Sequence, residues 1–364
     1  MTPRRNALKT AALMWAGLSP CLSSLASPEP PFYPAVKPRR LVFPRDHGAH
    51  PDYRTEWWYL TGWLGEGPSA MGFQLTFFRS RTQHAPDNPS RLAPTQLLFA
   101  HAALAVAKQG VFLHANRAGR LSGTSLRAET ADTGLQFEDW HLRRVQGPAA
   151  EVYEGRFAGE GFSMSFEAST PQAVILRGQD GLSQKGPQAS QASHYYSRAP
   201  LRVNARVQLG KQTQVQEGQA WLDHEWSSQL LMPGAVGWDW LGINLLDGGT
   251  LMAFQIRNDK SELLYAHVDA RDRAGLPAPG WRGLKWQPRG RWRSKSLIEY
   301  PLPMDLVVGE QSFQLVPLML DQEVDARAST GGFYWEGAVR LMQAERLLGH
   351  GYLELTGYGA PLRL

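Results

Sequence analysis

Two short stretches hold side chains whose types and spacing suit proton chemistry: Asp223-His224-Glu225-Trp226 and Trp238-Asp239-Trp240, all within 18 positions. A carboxylic acid kept neutral by burial donates a proton, an aromatic face steadies a cation, and an imidazole holds a water. Together these are the groups needed to add water to an isolated carbon–carbon double bond. Strand alternation places Asp223 on the opposite face from His224. An acid flanked by indoles also serves as a structural hydrogen-bonding group, and Asp239 fits either description. Glu56, beside Trp57-Trp58, reads as a buried polar partner that ties down a first strand. His101 and His267 recur in matching contexts, which points to a shared requirement of the fold.

Other chemistries lack their signatures. Asp46, His47 and His50 show no zinc spacing, and His224-Glu225 lacks a second histidine four residues on. No metal is expected. No Gly-x-Ser-x-Gly elbow occurs, and no phosphate-cradling or dinucleotide loop is present, so no cofactor is expected.

The elements that must position these groups are strands. The chain has 364 residues, 43% hydrophobic and 20% charged, with 13 Trp, 36 Gly and 25 Pro, a mixture suited to many short strands joined by turns. Short alternating runs occur at 73–78, 97–105, 162–166, 201–209, 251–256 and 313–318. At an offset of 181, Trp57, Leu60, Leu64, Met71, Phe73 and Gln74 fall on Trp238, Leu241, Leu245, Met252, Phe254 and Gln255. Phe99-Ala100-His101 then resembles Tyr265-Ala266-His267. Tyr195-Tyr196 followed by Gly218-Gln219-Ala220-Trp221-Leu222-Asp223 parallels Tyr334-Trp335 followed by Gly351-Tyr352-Leu353-Glu354-Leu355-Thr356. Ordered matches of this kind mark an internal duplication. Trp57 and Trp238 should open equivalent strands, and Phe73 and Phe254 should point into equivalent cores. The Gln-, Ser- and Gly-rich segment 178–193 reads as a surface loop inside the first copy. The predicted organisation is a leader at 1–26, a Pro-rich lead-in at 27–40, a first domain at 41–230 and a second at 231–364.

The leader combines Arg4, Arg5 and Lys9 with an apolar run at 11–18 and small residues ending at Ala26. That order is a secretory signal, too short to span a bilayer. The arginine pair has the form of a twin-arginine signal. Pro20 argues against lipid attachment at Cys21, the one cysteine of the chain, so the expected location is the periplasm or the medium. Three positive charges of the net +5 lie in the leader, and no basic run follows it. Nucleic acid is not an expected partner.

Phe43-Pro44-Arg45-Asp46-His47-Gly48-Ala49-His50-Pro51 with Arg54-Thr55-Glu56-Trp57-Trp58-Tyr59-Leu60-Thr61-Gly62 resembles the signature of a bacterial family. That family includes carotenoid 1,2-hydratases (hydroxyneurosporene synthases) and secreted lipocalin-like proteins associated with Att-type ABC exporters. Trp221 to Trp226, Trp238-Asp239-Trp240, Tyr334 to Gly337 and Gly351 to Tyr358 extend the likeness. The resemblance implies an all-β fold of two tandem lipocalin-like antiparallel β-barrels, with an ABC exporter or the membrane surface as partner. It maps Asp239, His224 and Trp226 to an acid, a water-holding histidine and its aromatic neighbour, with Asp223 as the second choice for the acid. Two functions fit. One is a carrier whose cavity, lined by Trp57, Trp58, Trp238, Trp240 and Tyr196, holds an elongated hydrophobic ligand such as a lipid or isoprenoid. The other is a hydro-lyase that hydrates a double bond of such a ligand through a carboxylic acid.

Overall fold

The computed structural model describes residues 33–85, 88–90, 92–147 and 150–362. The leader and the arginine pair lie outside them. Among the described residues there is no α-helix, only strands and three single 3-10 turns.

The alternating pattern produces two large antiparallel sheets and a separate two-stranded one, and ten strands carry the site. In the first sheet these are β1 (Thr55–Leu64), β2 (Met71–Arg81), β3 (Gln96–Val106), β4 (Ala192–Leu209) and β5 (Gln212–Ser227). In the second they are β6 (Ala235–Leu245), β7 (Thr250–Asn258), β8 (Leu263–Arg271), β9 (Phe333–Gln343) and β10 (Arg346–Leu355). The first sheet contains the order β3-β2-β1-β5-β4, and the second contains β8-β7-β6-β10-β9. The two lipocalin-like halves therefore share one topology. The first curls into a nearly closed barrel: a Cβ on Gly119, in the edge strand Val111–Arg120, would lie 2.4 Å from Leu126 on the opposite edge. The second is a more open half-barrel of the same kind.

Side chains alternate across each sheet. Trp58, Leu60 and Leu64 enter the first barrel's core with Phe73, Phe77 and Phe157. Leu241 and Ile243 enter the second with Leu251, Leu306 and Trp335. The intervening residues Tyr59, Trp63 and Trp240 turn the other way and meet between the halves, with Met252, Phe254 and Tyr352. Both interiors are filled by side chains, and a third apolar layer joins them.

The duplication is real, but two of its registers differ from the sequence matches. Leu64 pairs with Met71 across the first hairpin, whereas Leu245 reaches Gly249 across the second. The second turn is three residues shorter, so beyond it the offset is 178. An odd change moves side chains to the other face. Phe73 accordingly lies in the first core, whereas Phe254 lies in the layer between the halves. The matches of Met71, Phe73 and Gln74 with Met252, Phe254 and Gln255 are not structural equivalences. Similarly, the true partner of Gly218 is Gly349, not Gly351. A Cβ on Gly218 would sit 2.0 Å from Trp63 O, and one on Gly349 would sit 2.4 Å from Asn244 O, the residue 181 positions on. Asp223 is then equivalent to Glu354, since Asp223 pairs with Tyr59 and Glu354 with Trp240.

Candidate functional site

The layer between the halves contains a cavity of about 80 Å³. The outward faces of β1 and β5 supply Trp57, Tyr59, Asp223 and Glu225. The facing strands β6, β9 and β10 supply Trp238, Trp240, Glu336 and Glu354. Lys185 comes from the segment expected to be a surface loop, which instead forms a short strand, Leu182–Gln184, against β4 and buries Ser183, Lys185 and Gln191. Trp57 and Trp238 lie parallel, and Tyr59 meets Trp240 edge-on at 5.2 Å. The walls are largely aromatic, and five ionisable side chains reach them: Lys185, Asp223, Glu225, Glu336 and Glu354.

Three of the carboxyls are held in the protonated direction. Glu336 and Glu354 are directly opposed across β9 and β10, and two buried like charges so placed cannot both ionise freely. Burial, then the Glu354 charge, pushes Glu336 well above the usual carboxylate range. Glu336 Oε1 has no hydrogen-bond partner among the described residues. Burial raises Glu354 to about 7, against one donor, Trp238 Nε1 at 3.0 Å. Burial raises Asp223 to about 6, although it accepts from Tyr195 Oη at 2.6 Å, Ser197 Oγ at 2.5 Å and Trp221 Nε1 at 2.7 Å. At neutral pH Asp223 is mostly an anion prepared to take a proton, and Glu336 is an acid prepared to give one. Neighbouring groups whose environments separate their pKa values in this way are suited to acid and base roles.

The expected convergence of His224, Trp226 and Asp239 does not occur. Asp239 faces the interior of the second half, between the cavity residues Trp238 and Trp240. It accepts from Gln255 Nε2 at 2.6 Å, Arg257 Nε at 3.1 Å and Tyr358 Oη at 3.1 Å. Its pairing with Arg257 matches that of Glu56 with Arg79 at 2.8 Å in the first half, and the two arginines are equivalent across the repeat. His224 and Trp226 face the first barrel. There Glu56 Oε1 meets His50 Nδ1 at 2.7 Å and His224 Nε2 at 2.9 Å, and His47 and His224 both contact the Tyr196 hydroxyl. Trp226 stacks on His50 at 3.7 Å, and Trp58 on His224 at 4.4 Å. Trp58 and Tyr196 therefore belong to this sealed network, whereas Trp57, Trp238, Trp240 and Asp223 line the cavity. His101 is also structural in placement: it joins the halves through Tyr334 Oη at 2.6 Å and Ser329 Oγ at 2.8 Å.

His50, Glu56 and His224 are the one trio of ligand-type groups, among the described residues, with atoms within 4.8 Å of one another. A cation there would have to displace both histidine–glutamate hydrogen bonds beside the Arg79 guanidinium. The donor set therefore suits a proton network better than a metal. Sequence reasoning missed Glu336, Glu354 and Lys185. The repeat would have located Glu354 as the counterpart of Asp223 had Gly349 been paired with Gly218. No motif marks Lys185.

Residues 34–358 match the model of the AttH-like family. The crystal structure of an AttH protein from Nitrosomonas europaea is similar at 39% identity and a TM-score of 0.80, with 89% of this chain and 99% of that one covered. Kievitone hydratase from Nectria haematococca is similar in fold at 11% identity and a TM-score of 0.64, with 90% and 98% covered. Comparison with curated proteins finds no match.

Proposed function

The chain belongs to the AttH-like family, and on that premise we propose that it is an acid–base enzyme which adds or removes water at a carbon–carbon double bond of an uncharged, largely apolar ligand held between the two barrel halves. One observation carries this reading: three buried carboxyls with raised pKa values face a single aromatic-walled cavity. In the hydration direction the Glu336/Glu354 pair gives a proton to carbon. The oxygen of water bonds to the adjacent carbon, and Asp223 takes the proton that this water releases. Trp57, Trp238 and Trp240 hold the ligand and exclude bulk water. We place this activity outside the cytoplasm because of the leader at 1–26.

The test is to incubate the purified protein with a lipid extract of its host in ¹⁸O-labelled water. Wild type should yield a labelled alcohol, and Asp223→Asn should slow its formation by about 100- to 10,000-fold. A lipid that co-purifies and stays unlabelled in wild type would overturn the enzyme reading and leave a carrier that uses the same cavity.

A further inference from the structure

Among the described residues Lys185 is the one cation lining the cavity, 6% exposed, between the short strand Leu182–Gln184 and β4. Its ammonium meets Glu225 Oε1 at 2.9 Å and otherwise lies over aromatic faces, 4.1 Å from the Phe254 ring centre and 4.7 Å from that of Tyr195. Among the described residues the ammonium makes no hydrogen bond or ion pair besides that with Glu225. An ammonium has three N–H donors, and a buried donor left without an acceptor costs free energy. Glu225 is itself held by Ser193 Oγ. The lysine and Glu225 thus form an ion pair beside the three buried carboxyls.

We propose that Lys185 is the oxygen-binding group of this cavity, and that the ligand is a conjugated carbonyl compound, an enone or unsaturated ester, whose carbonyl oxygen accepts from the free Lys185 N–H groups. This rests on the acid–base reading and specifies the substrate class. A fixed ammonium disfavours a carbocation forming beside it and stabilises negative charge gathering on oxygen. Hydration then runs as a conjugate addition. The oxygen of water bonds to the β-carbon and gives a proton to Asp223, while the double-bond electrons move towards the carbonyl oxygen at Lys185. The enolate takes a proton at its α-carbon from the Glu336/Glu354 pair.

The test compares 4-phenylbut-3-en-2-one with 1-phenylbut-1-ene, which has the same carbon skeleton and no oxygen, by ligand-observed NMR titration. Wild type should prefer the ketone by about tenfold to a hundredfold. Lys185→Met should reduce that preference to below about threefold with hydrocarbon affinity unchanged. Because Lys185→Met strands Glu225, the double variant Lys185→Met/Glu225→Gln repeats the measurement with the cavity neutral. Equal binding of both probes by wild type, no binding of either, or a preference that survives in the double variant would overturn the assignment. Incorporation of ¹⁸O into an unconjugated alkene by wild type would overturn Lys185's role and leave the acid–base reading standing. Selective ketone binding with no ¹⁸O incorporation would do the reverse.

Discussion

Trp57 stacks on Trp238, its own counterpart in the repeat, with ring centres 6.5 Å apart and planes 13° from parallel. Contact between equivalent residues is the mark of a two-fold interface, here between two halves of one chain. Asp223 and Glu354 are mates under the same relation, yet their surroundings differ. Three donors hold Asp223, and one holds Glu354.

That difference is testable. Trp238→Phe removes the donor that lowers Glu354, so the Glu354 carboxyl should titrate above about 7. Trp57→Phe removes no such bond and should leave it in place. Carbon-detected NMR of the glutamate carboxyls across the pH range would read both, and equal behaviour of the two variants would contradict the assignment.

Two opposing contributions to stability titrate in overlapping pH ranges. Glu354 is raised from 4.5 to about 7 in the folded chain. Its stabilising contribution is present below about pH 4.5 and is lost as pH rises to about 7, on the order of 3 kcal/mol for a fully buried group. His101, His194 and His224 are lowered by burial to about 3, 4 and 4. Their contribution is present above pH 6.5 and is lost as pH falls below it. Melting temperatures measured from pH 4 to 8 should show Glu354→Gln gaining stability relative to wild type as pH rises from about 4.5 to 7.

Asp239→Asn should destabilise without touching the chemistry. It leaves the Arg257 guanidinium without its carboxylate, at a cost of about 3–5 kcal/mol by urea unfolding, and Arg79→Met should do the same to Glu56. Ligand affinity and turnover of folded Asp239→Asn should match wild type. A folded, fully stable Asp239→Asn without activity would instead restore Asp239 as the acid.

Replacing Arg4 and Arg5 together by Lys should leave precursor in the cytoplasm if the leader is read by the twin-arginine route. Cell fractionation with an antibody decides it, and normal export of the double variant would refute that route.

Much of the architecture was legible because strand alternation and the Trp-led repeat are local signals. Trp57 and Trp238 were paired correctly from spacing alone. The acid was not. Asp239 sits between two indoles in sequence, but alternation sends those indoles to one face of β6 and the carboxylate to the other. Cross-strand neighbours decide what it meets, and Arg257 lies 18 residues away. Glu336 and Glu354 become a pair only through the β9–β10 register. Gly349 and Gly351 offered two alignments of β10 that spacing could not separate.

The β6–β7 turn is three residues shorter than its counterpart, and the difference is confined to the connection. Leu251 stands 178 positions after Phe73, and each enters its own core, so the strands on either side keep their faces. The turn thus behaves as a spacer, free to change length while the strands it joins keep their addresses.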